Sequence, residues 1–126
     1  MKLSLILMVW NTSHLLARTL QTLHLQTIDD WELIVVDDNS EDDVEEVLRQ
    51  NADGLPVRYC RLEHSKGMRG NTVSINYGVR KSRGDVVMWS TPEVMLPPDA
   101  LLEAYNANKE PDSKLWVTIP SHGLTD

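Results

Sequence analysis

The sequence is short of cysteine, of cations and of long apolar runs, and each shortage removes a class of protein. A lone Cys60 cannot form an internal disulfide, which points to a reducing, cytoplasmic setting. No apolar run approaches the ~20 residues that a bilayer-spanning helix needs. With 12 Lys and Arg against 19 Asp and Glu, the net charge is −7, and the cation surplus that non-specific nucleic-acid binding requires is missing. Repeats, low-complexity tracts and linkers are missing too, so the 126 residues read as one domain. Lys2 ahead of an apolar stretch looks like the start of a secretory signal, but no small-residue cleavage site follows, only the polar Asn11-Thr12-Ser13. A buried first strand is the better reading.

What is present is patterned. Ten of the acids lie between Asp29 and Glu46, and seven of the bases between Arg58 and Arg83. Such a division implies either mutual pairing or a site that handles both a nucleobase and a phosphate. Residues 3–9 are almost wholly apolar, as in a strand buried on both faces. Residues 13–26 place Leu15, Leu16, Thr19, Leu20 and Leu23 at helical spacing, with Asn11 or Ser13 as the cap. A second strand follows over 31–36, then a helix that opens at Ser40-Glu41-Asp42-Asp43 as a variant capping box and turns Val44, Val47 and Leu48 inward. Further strands are expected over 57–62, 85–90 and 115–119. Helices are expected over 71–81, ended by Gly84, and from Pro97-Pro98 onward with Leu101, Leu102 and Tyr105 facing in. Trp89 and Trp116 are expected in the core. Strands alternating with helices imply a mostly parallel sheet in a three-layer α/β/α sandwich.

Ligands of such sheets bind beyond the carboxyl ends of the strands. Four polar stations fall there: Trp10-Asn11, Asp37-Asp38-Asn39-Ser40, the 63–71 loop and Ser90-Thr91-Pro92-Glu93. Neighbouring strand residues point to opposite faces, so one carboxylate of the Asp37-Asp38 pair should brace the loop while the other faces the cleft. His14, His24, His64 and His122 have no metal-ligand spacing and read as surface or packing residues. Cys60 lacks the surroundings of a nucleophile.

Read together, Leu3 to Leu7 with Trp10-Asn11, Leu23-His24-Leu25-Gln26-Thr27, Trp31-Glu32 through Asp37-Asp38-Asn39-Ser40, Asn76-Tyr77-Gly78, Arg83-Gly84-Asp85 and Leu96-Pro97-Pro98-Asp99 carry a resemblance. In that order and spacing they resemble the nucleotide-sugar-binding half of a family 2 glycosyltransferase of the GT-A (nucleotide-diphospho-sugar transferase) fold. The resemblance implies an inverting transferase in glycan or polysaccharide synthesis. It implies a nucleotide-diphosphate sugar donor, a UDP-sugar first, with an acceptor glycan or lipid-linked glycan, at a cytoplasmic site or at the inner face of the membrane. It places Met8, Trp10 and Asn11 at the base pocket, Asp38 on the base N–H, and Lys66 or Arg69 on the diphosphate, with Gly67 and Gly70 allowing close backbone approach.

The resemblance also implies a divalent cation, Mg²⁺ or Mn²⁺, held by Asp-x-Asp after the fourth strand. Here Thr91-Pro92-Glu93 stands at that station, leaving Glu93 as the metal ligand and a weakened site. The family's catalytic base belongs to a C-terminal half; Asp112 and Asp126 are misplaced for that role, so the sequence reads as a truncated, donor-binding portion with its catalytic residues unassigned. Apolar surface left uncovered would then favour a homo-oligomer. Two rivals stay open: a degenerate, non-catalytic interaction domain of the same fold, and a flavodoxin-like phosphoacceptor domain, against which the acid pair's position after the second strand argues.

Overall fold

The computed structural model describes residues 1–64 and 70–110. The expected strand over 115–119, with Trp116, and Asp112, His122 and Asp126 lie outside the described residues, as do Lys66, Gly67 and Arg69. The chain runs β1 (Leu3–Val9), α1 (Ser13–His24), β2 (Trp31–Asp37), α2 (Val44–Asn51), β3 (Val57–Arg61), α3 (Asn71–Lys81), β4 (Val86–Ser90) and α4 (Ala100–Asn108). The strands form a sheet in the order β3-β2-β1-β4, every pair parallel. The first crossovers step outward to β3, and the next returns to the other side of β1, so β1 and β2 are central.

Alternation along the strands divides the core between two faces. Leu3, Leu5, Leu7, Leu33, Val35 and Met88 pack with Leu16, Leu20 and Leu23 of α1, Val44 and Leu48 of α2, and Leu101 and Ala104 of α4. Ile6, Met8, Ile34 and Val36 face the other way, against Ile75 and Tyr77 of α3. Gly78 makes that second contact possible, since a Cβ there would lie 2.5 Å from Ile6 Cγ2. The α/β/α layering thus follows from strands that are apolar on both faces.

Several local expectations are corrected. Neither Asn11 nor Ser13 caps α1: the N-cap is Thr12 without a side-chain bond, and the Ser13 amide donates to Asp42 Oδ2 at 3.0 Å instead. Asp43, not Ser40, caps α2, accepting from the Glu46 amide at 3.1 Å. Ser40 is occupied elsewhere, its Oγ accepting the Asn11 amide at 3.0 Å. Asp99 precedes α4, which begins beyond Pro97-Pro98. Trp89 is not a core residue; it is 54% exposed, because it points to the α3 side of edge strand β4, and α3 packs over β1 and β2.

Gly84 does not end α3, which stops at Lys81 with Ser82 as its C-cap. Glycine is needed there because a Cβ would sit 2.5 Å from the backbone nitrogen of Ser4. Ser4 Oγ accepts the Gly84 and Arg83 amides at 2.8 and 3.2 Å and donates to Glu32 Oε2 at 2.5 Å. The Glu32 carboxylate also takes the Arg83 amide at 2.7 Å and the Arg58 guanidinium at 2.7 and 3.1 Å. Burial alone would raise the Glu32 pKa; the donors Ser4, Arg83 and Arg58 outweigh it and hold the group below the usual glutamate value. Its stabilisation is therefore complete above that value and is lost as pH falls through it. Replacement by Gln should lower stability by about 1–3 kcal/mol at neutral pH, by removing the charge opposite Arg58, which keeps the Lys81 carbonyl. Melting temperature against pH should show a shallower acid limb in Glu32→Gln than in the wild type.

Candidate functional site

At the carboxyl ends of β1, β2 and β4 the chain leaves a cavity of about 240 Å³. Its walls include Met8, Trp10, Asp38, Ser74, Thr91 and Glu93. Residues from all four sequence stations, Asn71 of the 63–71 loop among them, thus meet at one opening, because parallel strands all deliver their ends to the same edge. Met8 is buried under the floor, Trp10 is 36% exposed at the rim, and Glu93 is exposed. Pro92 is fixed from below by Thr19 of α1, whose hydroxyl donates to the Pro92 carbonyl at 2.6 Å.

The adjacent acids divide their tasks. Asp37 is fully buried, on the face of β2 opposite α3. Its Oδ1 accepts the Ser40 amide at 2.9 Å; its Oδ2 accepts Tyr59 Oη at 2.6 Å and Arg61 at 3.0 Å. Asp38 lines the cavity. Its Oδ2 accepts the Gly70 amide at 2.9 Å, and His64 Nε2 lies 3.0 Å from Oδ1. Two of the clustered acids are paired with clustered bases across β2 and β3, Glu32 with Arg58 and Asp37 with Arg61.

His64 was missed as a site residue, since histidine spacing looks only for metal ligands; its position directly after the β3 end was the available signal. Gly70 serves by conformation, with φ at +108°, rather than by crowding, since nothing lies within 4 Å of where its Cβ would be. Asn11, with φ at +52°, does not line the cavity. Its Oδ1 accepts the Glu41 amide at 2.7 Å and ties the β1–α1 turn to the β2–α2 loop.

The donor set does not fit a resident divalent cation. Among the described residues no group of three or more His, Cys, Asp or Glu side chains is placed to hold one. Of the carboxylates on the cavity wall, Asp38 is engaged by Gly70 and His64, and Glu93 stands exposed beside the neutral Thr91. Even Mg²⁺, which keeps several waters, wants one or two carboxylates plus phosphate oxygens. A single exposed Glu93 is short of a preformed site.

The profile described as "Glycosyl transferase family 2" matches residues 4–125. The chain is 32% identical over 119 residues to poly(ribitol-phosphate) beta-N-acetylglucosaminyltransferase TarP of Staphylococcus aureus, covering 92% of this chain and 36% of that protein. It is 27% identical over 119 residues to a poly(ribitol-phosphate) beta-glucosyltransferase of Bacillus spizizenii, covering 93% of this chain and 19% of the relative. The chain therefore spans about a third or less of these relatives. Among solved structures, S. aureus TarS 1-349 in complex with UDP-GlcNAc superposes with a TM-score of 0.73 at 24% identity, over 82% of this chain and 30% of that one. The mannosyltransferase PcManGT of Pyrobaculum calidifontis, with GDP-Man and Mn2+, gives 0.72 at 20% identity, over 85% and 32%. These likenesses show the GT-A fold.

The Asp37 cluster generates a test. Burial, reinforced by the hydrogen bond to Asp37, pushes the Tyr59 phenol well above its ordinary value. The neutral phenol's stabilisation is thus complete below about pH 10 and is lost as pH rises beyond it. An ultraviolet titration of wild type against Tyr59→Phe should show Tyr59 ionising only as the fold is lost. Ionisation of Tyr59 near the ordinary phenol value, with the fold intact, would contradict the geometry.

Proposed function

The chain belongs to glycosyl transferase family 2, and from that premise we propose that it receives the nucleotide-diphosphate sugar donor of a glycan-forming transferase, a UDP-sugar first. The observation that supports this reading is the cavity in which Asp38 and Trp10 stand on one wall system at the ends of β1 and β2. Asp38 is an acceptor suited to a ring N–H, which uracil and guanine carry and cytosine lacks. Trp10, half-open at the rim, offers a face on which a base can stack.

The transfer itself, in our reading, is an inverting displacement at the anomeric carbon, in which an acceptor hydroxyl is deprotonated and the nucleoside diphosphate leaves. The described residues contribute donor orientation: Asp38 sets the base, and the packing of Met8 beneath it sets the depth. Lys66 and Arg69 are the candidates for the diphosphate. An acceptor glycan, lipid-linked or free, and a homo-oligomer are retained as proposals on the same footing.

A second reading is a non-catalytic domain of the same fold, favoured by Thr91-Pro92-Glu93 in place of paired carboxylates. Calorimetric titration separates the two. UDP should bind and raise the melting temperature, whereas CDP should not. Trp10→Ala should weaken UDP about tenfold and Asp38→Ala by more, from the usual worth of a stacked base and of a charged hydrogen bond. Failure of UDP, GDP and TDP alike to shift the melting temperature would remove the donor-site reading and leave the interaction domain.

A further inference from the structure

We propose that the N-terminus of α3, together with the Ser74 hydroxyl, forms a phosphate subsite that receives the donor's diphosphate directly, in place of a carboxylate-held cation. The proposal rests on the donor-site reading and deepens it. Helix α3 has Gly70 as its N-cap, with no side-chain hydrogen bond and no acid in its first turn. The amides of Asn71, Thr72 and Val73 have no partner within the helix, because the first turn of any α-helix leaves its N–H groups pointing forward. That end of the helix dipole is positive and favours an anion.

The second observation is independent of the helix. Ser74 is 1% exposed and lines the cavity, yet its Oγ makes no hydrogen bond among the described residues. The hydroxyl opens onto the cavity with no protein partner to hold it, so it is placed to donate to a ligand oxygen there. Ser74 stands in the first turn, its amide bonded to the Gly70 carbonyl at 3.4 Å, so its hydroxyl and the free amides belong to the same end of the helix. Asp38 keeps its charge beside this end of the helix, with one oxygen on the Gly70 amide and the other against His64, so the phosphate is seated on the helix amides that Asp38 does not take. Across the cavity, Thr91 occupies the place where a metal-holding carboxylate is expected, and Glu93 alone does not replace it. Helix amides and a hydroxyl supply by hydrogen bonding what the missing cation would supply by charge.

Titration calorimetry of the full chain with uridine and with UDP, in EDTA and then with Mn²⁺, tests this. In EDTA, UDP should bind at least tenfold more tightly than uridine. Ser74→Ala should cut UDP affinity about tenfold and leave uridine affinity unchanged. Its melting temperature should stay level, because the hydroxyl has no partner among the described residues to lose; a fall would show that Ser74 is structural and overturn the proposal. Equal losses for uridine and UDP would place the hydroxyl on the nucleoside and overturn it too, as would UDP binding that exceeds uridine only with Mn²⁺. If wild type binds neither ligand, the donor-site reading itself has failed and the subsite fails with it. If uridine binds and UDP in EDTA gains nothing, only the subsite is lost.

Discussion

Three carboxylates buried on one central strand impose the constraint from which much of this molecule follows. Glu32, Asp37 and Asp38 are each within 3% of full burial on or just beyond β2. A buried charge without partners is expensive enough to unfold a domain of this size, so each acid dictates what must come near it. Glu32 draws in Arg58, Ser4 and the turn before β4; Asp37 draws in Tyr59, Arg61 and the turn after itself; Asp38 draws in His64 and the start of α3. Edge strand β3 is basic because it lies beside β2. The sheet order and the lacing of its loops are two expressions of the same requirement.

That network also explains how much of the fold was legible in sequence. The apolar runs of β1 and β2 and the helical spacing from Leu16 to Leu23 declare themselves, because burial on a strand face or helix stripe is a periodic demand. The caps were misread because their partners come from distant loops. Ser13 is satisfied by Asp42, and Asn11 by its bonds to Ser40 and Glu41, none of which local spacing reveals. Trp89 was misplaced for a related reason. A strand at the sheet edge has the same apolar composition as a central one, and only the lateral position of α3 decides that its outer face stays open.

The candidate site was legible in its stations and not in its interior. Trp10, Asp38 and Glu93 could be placed at a common edge from topology alone, since parallel strands leave no other arrangement. What composition could not supply was which of two adjacent acids faces the opening, or that a histidine with no metal spacing would come to rest on it. Those facts depend on strand register. Asp37 pairs with Arg61 and closes downward, and the next residue, its amide still bonded to the Val9 carbonyl of β1, turns its carboxylate to the cavity.

The Ser4–Glu32–Gly84 cluster lies at the amino ends of the strands, away from the cavity. Yet Trp31-Glu32 and Arg83-Gly84-Asp85 are among the residues by which the chain is recognised as a member of its family. Part of that signature is therefore a folding instruction, kept for the sake of a tight turn beneath the sheet. Lineages that abandoned sugar transfer would still retain it under selection for solubility alone, so degenerate members of such families should remain easy to recognise long after their chemistry has drifted.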